Sequence, residues 1–313
     1  MGIFVFLPLV LPVTALPIVR LAEQHLHPRG AARLLTVVGG LLAVCSTLCL
    51  VLLMVVGTAQ LPGNPLPDGW SDPEVRDAVP HEEYVGEISI GALLAVLIAW
   101  SLTLAGHFRV RRRAHRSLAG LPDDGEPAVL PDADPYAYAL PGACGRRERV
   151  VVSTAMLGHL DAEERRVLIA HEQAHLAARH HRFLLLAQLA ARANPLLSPL
   201  RDAVTYSAER WADEEAAREV GSRRTVARAV AKAALVTRRT PASGLVAFAE
   251  PGPVPRRVAA LLAPEPPARS WPPTGTAAGL AAWVAAAGTA ASALSSLTAA
   301  AALTAILVAA TPL

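Results

Sequence analysis

Four long runs without a single Asp, Glu, Lys or Arg constrain this chain more than any other feature. They are Ile3–Val19 with 17 residues, Leu34–Gly57 with 24, Ile88–Gly106 with 19 and Ala277–Ala310 with 34, the last inside a charge-free tail of 44 residues. An α-helix of about 20 residues crosses the hydrocarbon core of a bilayer, where every backbone polar group must be satisfied within the protein. The expected fold class is therefore mainly α, with transmembrane helices at about 3–19, 34–57, 88–106 and 277–310. Composition agrees: 53% of residues are hydrophobic, only 4% are aromatic, and the mean hydropathy is +0.37. The first run carries Pro8, Pro12 and Pro17. It lacks the basic leader and small-residue cleavage site of a signal peptide, so it reads as a retained helix. The last run is longer than one span needs, but a hairpin would require turn residues that it does not have.

Charge between the runs sets an expected orientation. Arg20, Arg29 and Arg33 follow the first run, and Arg109, Arg111, Arg112, Arg113 and Arg116 follow the third. Both segments belong on the cytoplasmic side by the positive-inside rule. The Gly63–Gly86 loop holds Asp68, Asp72, Glu74, Asp77, Glu82 and Glu83 against Arg76 alone, which suits the outer side. Three parts follow: a membrane part over 1–106, a cytoplasmic domain over 107–270, and a closing membrane helix over 271–313. The juxtamembrane arginines read as a topology signal and an anchor for anionic lipid, so no direct nucleic-acid binding is expected. Cys45 and Cys49 fall inside a membrane run and Cys144 in a loop, which leaves no disulfide framework and no cysteine ligand. A transporter would need ionisable groups within the spans, and these runs contain none.

The chemistry sits in the central part. His171-Glu172-Gln173-Ala174-His175 places two histidines four residues apart, one helical turn, the separation at which two imidazoles hold one tetrahedral zinc. Asp161 is a suitable N-cap, and no Gly or Pro interrupts the chain from Asp161 to Ala193, so the histidines are expected on a helix and in phase. Glu172 can take a proton from water whose pKa the metal lowers from 15.7 to roughly 7, then deliver it to a leaving amine. A catalytic zinc needs a third protein ligand. Glu209 is the best candidate, on a second helical run entered after Pro195 and Pro199, and Asp213 shares its face and can accept the free N–H of a ligating histidine. The expected cofactor is one zinc ion per chain.

The HEQAH helix, the Glu209-Arg210-Trp211-Ala212-Asp213 helix and the later Pro253-Val254-Pro255-Arg256-Arg257-Val258-Ala259-Ala260-Leu261 segment resemble integral-membrane gluzincin metallopeptidases. The relatives are of the HtpX and CAAX-prenyl-protease type and the BlaR/MecR antirepressor type. The resemblance covers roughly residues 130 to 262. It implies His171, His175 and Glu209 as zinc ligands, Glu172 as catalytic base and Asp213 behind a ligand. It also implies short strands at Tyr136–Gly142 and Arg149–Thr154, one of which forms an edge for an extended substrate.

Several neighbours carry plainer readings. His180 and His181 read as a solvated continuation of the helix, and Glu214, Glu215 and Glu219 as a solvated acidic face. Arg256 is either close to the cleft or a surface or capping arginine, and Tyr206 is an unassigned candidate for stabilising an oxyanion. The apolar Phe183–Ala191 stretch is too short to span and is expected to pack in the core or dip into the membrane interface. The expected activity is hydrolysis of peptide bonds by a membrane-bound zinc metalloendopeptidase acting on protein substrates. The antirepressor resemblance implies a transcriptional repressor as partner, the HtpX resemblance misfolded or unassembled membrane proteins. The alternative from another class is a catalytically inactive membrane signalling or scaffold protein with a structural zinc, and the presence of Glu172 argues against it.

Overall fold

The computed structural model describes residues 5–59, 61, 63, 66–71, 82–121, 125–142, 146–237, 253–266 and 273–310. Asp72, Glu74, Arg76, Asp77 and Cys144 lie outside the described residues, as do 122–124 and 143–145 of the connection 121–145, and 240–252 and 267–272 of the connection 240–273, the two stretches that the Gly and Pro content marks as irregular.

Among the described residues, four helical segments are long and apolar enough to cross a membrane. The first is not one regular helix. Its prolines divide it into α1 (Leu7–Val10), a 3₁₀ stretch (Leu11–Ala15) and α2 (Leu16–His25). Proline has no N–H to give, so carbonyls four residues before each one lose their helical partner. Pro12 thus leaves the Pro8 carbonyl without a helical donor, and side chains of other segments reach it and its neighbour. Ser46 Oγ donates to the Pro8 carbonyl at 2.7 Å, and Asn194 Nδ2 donates to the Leu9 carbonyl and to Ser46 Oγ, both at 3.0 Å. The other three spans are α3 (Pro28–Ala59), α4 (Glu82–Ser117) and α11 (Ala277–Ala309). Each of α3 and α4 overruns its charge-free run, because nothing at the end of the run breaks a helix. The extra turns of α4 carry the arginine cluster. At one end of the bundle α3 and α4 meet through Gly57 and Gly86, where a Cβ on either residue would collide with the backbone of the other.

The central part is helical apart from a small sheet. Strands β1 (Ala128–Leu130), β2 (Ala137–Leu140) and β3 (Arg149–Ser153) are ordered β1-β3-β2, with β1 parallel and β2 antiparallel to β3. The two strands implied by the family resemblance are β2 and β3. β1 was not expected, and its three residues are too few to show a period in sequence. β3 is the buried centre, so among the described residues β2 is an edge strand, paired with β3 on one side.

The helices of this part are α5 (Thr154–His159), α6 (Ala162–Ala177), α7 (His180–Ala193), α8 (Ser198–Val220), α9 (Arg223–Thr237) and α10 (Val254–Leu262). α6 starts on a complete capping box: Asp161 accepts from the Glu164 N–H and Glu164 returns the bond to the Asp161 N–H, each at 2.9 Å. The uninterrupted stretch from Asp161 to Ala193 is not one helix. It breaks at Arg179, whose φ of 54° is left-handed although the residue is not glycine. α7 and α8 then form a hairpin whose apolar side joins the membrane bundle. Ala187, Ala190, Ala193, Leu197, Leu200, Ala203 and Val204 share one buried cluster with Leu35, Val38, Leu42 and Leu50 of α3.

Candidate metal centre

α6 and α8 pack side by side, and the two acidic positions of α8 face the two histidines of α6. The His171 and His175 Nε2 atoms lie 3.1 Å apart, as expected for residues one turn apart on a shared face. Glu209 closes the triangle, with Oε2 3.5 Å from His171 Nε2 and Oε1 3.4 Å from His175 Nε2. Among the described residues these three form the His, Cys, Asp or Glu cluster that could hold a metal ion. Asp213, fully buried one turn further along α8, puts Oδ1 3.1 Å from His171 Nδ1.

The site's cation is a residue the sequence did not single out. Arg257 of α10 is buried, donating from Nε to Asp213 Oδ2 at 2.8 Å and from Nη2 to Asp213 Oδ1 at 2.6 Å, with Nη1 2.7 Å from Glu209 Oε2. Its neighbour Arg256, one of whose readings was closeness to the cleft, turns the other way. It stacks 4.4 Å from the ring centre of Tyr206 and pairs with Glu23 of α2. Tyr206 is thereby buried beneath Arg256. Position on a nine-residue helix decides between adjacent arginines, and that needs α10 placed against α8.

His180 also departs from its reading as solvated. It is fully buried, with Nδ1 2.9 Å from His175 Nδ1 and its ring 4.7 Å from that of Trp211. The Arg179 break explains why: on a continuous helix five residues turn the chain well past the His175 face, whereas the left-handed residue redirects it. Glu214 is a second correction. It is buried between Arg210 Nη2 at 3.1 Å and Arg223 Nη2 at 2.8 Å. Glu215 accepts from Trp211 Nε1 at 3.0 Å, and Glu219 alone of the three stays exposed.

The electrostatics sort these groups. Burial alone would keep His171 neutral, but Asp213 and Glu209 outweigh it and raise the imidazole to about 10. Burial pushes His175 down to about 4 and His180 down to about 3. Burial works against the Glu209 carboxylate too, yet Arg257 and the histidines hold it well below the usual range, and Asp213 is lowered by the same guanidinium. Glu172 keeps part of its surface open to solvent, and the dense protein around it pushes its carboxyl up to about 7 despite a hydrogen bond from the Ala139 backbone N–H of β2. The cluster thus gathers one fully buried and one partly buried carboxylate around one arginine and draws in further positive charge.

A metal fits this arrangement. Two imidazole nitrogens and a carboxylate are a donor set suited to zinc, with His171 giving up its proton when a metal binds. With bonds of about 2.0–2.2 Å, a tetrahedral ion spaces its ligand atoms about 3.4 Å apart. The three observed separations of 3.1, 3.4 and 3.5 Å bracket that value.

Residues 107–194 match peptidase family M48. The match contains His171, Glu172 and His175 and stops before Glu209, so it does not reach the α8 carboxylates. No curated protein and no solved structure matches the chain. The M48 match supports a metallopeptidase of the gluzincin kind, and the four apolar helices fit a membrane protein.

Proposed function

We propose that the chain is a membrane-bound zinc metalloendopeptidase, with His171, His175 and Glu209 as ligands and Glu172 as general base. The observation that carries it is the triangle of donor atoms at tetrahedral spacing, backed by the M48 match over the histidine helix. When bound, the zinc supplies Lewis acidity toward the scissile carbonyl and lowers the pKa of the attacking water. Everything else falls to the protein. Glu172, next to His171 and beside β2, takes the proton from the attacking water and hands it to the departing amine. Its carboxyl, poised near 7, suits both halves of that task. Asp213 fixes the His171 ring through Nδ1, and His180 meets His175 Nδ1 in the same way. The side of β2 away from β3 offers backbone groups on which an extended peptide adds as a strand, bringing its carbonyl past Glu172.

The arginine pattern supports a cytoplasmic catalytic part. Its substrates are then proteins reachable from that side, a transcriptional repressor or misfolded membrane proteins. The test is cleavage of an unfolded reporter protein by purified wild type and Glu172→Gln, with zinc counted in both. Activity should fall by at least 10³-fold with zinc content unchanged. Full activity in Glu172→Gln would refute the assigned base.

A further inference from the structure

We infer that the α7–α8 hairpin is immersed in the lipid leaflet on the catalytic side, as a re-entrant element between the spanning helices. Three contacts fix its depth, each inside a charge-free run. Trp100 Nε1 of α4 donates to the Leu189 carbonyl at 2.9 Å. Asn194 at the turn reaches Ser46 of α3 and Leu9 of the first segment. Leu200, on the way out, packs against Gly39. Ser46 lies 12 residues into the run that begins at Leu34, which places the turn about 18 Å along α3 at a rise of about 1.5 Å per residue.

The side turned away from the bundle carries large apolar residues between its few charges. Leu186 is 53% and Leu196 40% exposed. α4 and α7 run antiparallel, so Leu186, one turn before Leu189, is level with the part of α4 that carries Leu102, itself 63% exposed. Leu102 sits in a spanning helix and faces lipid, and the occupant that suits Leu186 and Leu196 is the same acyl-chain environment. The charges nearby are few and manageable. Arg182 and Arg192 are exposed and long enough to snorkel toward headgroups, while Arg201 pairs with the exposed Asp202 at 2.7 Å near the exit. α7 begins five residues after His175 and α8 carries Glu209, so the hairpin sets the height of the metal site above the membrane. Glu209 follows Leu200 by nine residues, about 14 Å along α8. The bonds best placed for cleavage lie in chain segments next to the membrane surface.

The test does not depend on catalysis. Single cysteines at Leu196 and Leu186, in a chain whose native cysteines are replaced, carry nitroxide labels in vesicles of zwitterionic and anionic phospholipid. Leu102→Cys is the lipid-facing reference and Glu219→Cys the water-facing one, with zinc content checked in each. Both hairpin labels should match Leu102, with high collision rates for oxygen and several-fold lower rates for water-soluble nickel chelate than at Glu219. Nickel accessibility at Leu196 equal to that at Glu219 would overturn the inference. If Leu196→Cys fails to fold, the same criterion is applied to Leu186→Cys.

Discussion

Replacing Arg257 with Met should destabilise the metal-free protein far more than the zinc-loaded one. Arg257 is 5% exposed and makes three contacts of 2.6 to 2.8 Å with two carboxylates, one fully buried. Met fills most of the space but offers no charge, so Asp213 and Glu209 lose their guanidinium together. Stripping one partner from a buried ion pair costs about 3–5 kcal/mol. Zinc changes the balance, because a bound divalent ion takes up the Glu209 charge and leaves the Asp213 contacts as the main loss. Charge-assisted hydrogen bonds of this kind are worth about 1.5–3 kcal/mol. Thermal unfolding in detergent, followed with chelator or with excess zinc, separates the two cases. At about 2–4 °C per kcal/mol for a unit of this size, the chelated variant should melt roughly 10 °C below wild type, with the gap about halved by zinc. Arg256→Met is the matched comparison: its half-exposed guanidinium pairs with Glu23 and covers Tyr206 away from the metal ligands, so whatever it costs should be the same with chelator and with zinc. An unchanged melting point in chelator, or the same loss with and without zinc, would refute the idea that Arg257 neutralises the site.

His180→Phe keeps the packing on Trp211 but removes the nitrogen facing His175, so zinc affinity measured by competition with a chromogenic chelator should fall on the order of 10- to 100-fold, with no change meaning that His175 is oriented by other means. Gly57→Ala puts a methyl into the Gly86 backbone and should cost about 1–3 kcal/mol of stability in detergent while leaving zinc content intact. The Asp161 cap gives a pH signature: the bond from the Glu164 N–H lowers its carboxyl below the ordinary value of 3.8. A group depressed in the folded state stabilises above its unfolded pKa and stops doing so as pH falls through the folded one. The stability gap between wild type and Asp161→Ala should thus be full at neutral pH and narrow below about 4, and a gap that widens in acid would contradict the cap's charge.

The membrane helices and the α6 histidines were legible because each rests on a local pattern: charge-free length in one case, a one-turn spacing behind a capping residue in the other. Glu209 and Asp213 could be proposed as a pair because they too are one turn apart on one helix. What sequence could not supply were relations between elements. Arg256 and Arg257 are equivalent in any local scheme, and only the docking of α10 on α8 sends one to Glu23 and the other to Asp213. His180 was misread because the helix break at Arg179 lacks the glycine or proline that announces such breaks. Glu214 was misread because its arginine partners lie on both its own helix and the next one.

The proline-broken first segment has a consequence in time. The Leu9 carbonyl receives its hydrogen bond from Asn194, 185 residues later in the chain. At synthesis rates of about 5–20 residues per second, that donor emerges on the order of ten seconds or more after the carbonyl has reached the membrane. Until then the segment lacks the side-chain donor that ties it to the hairpin. Completion of the first span is therefore tied to the arrival of the catalytic hairpin, and a nascent chain stalled before Asn194 would hold an N-terminal helix still waiting for its partner.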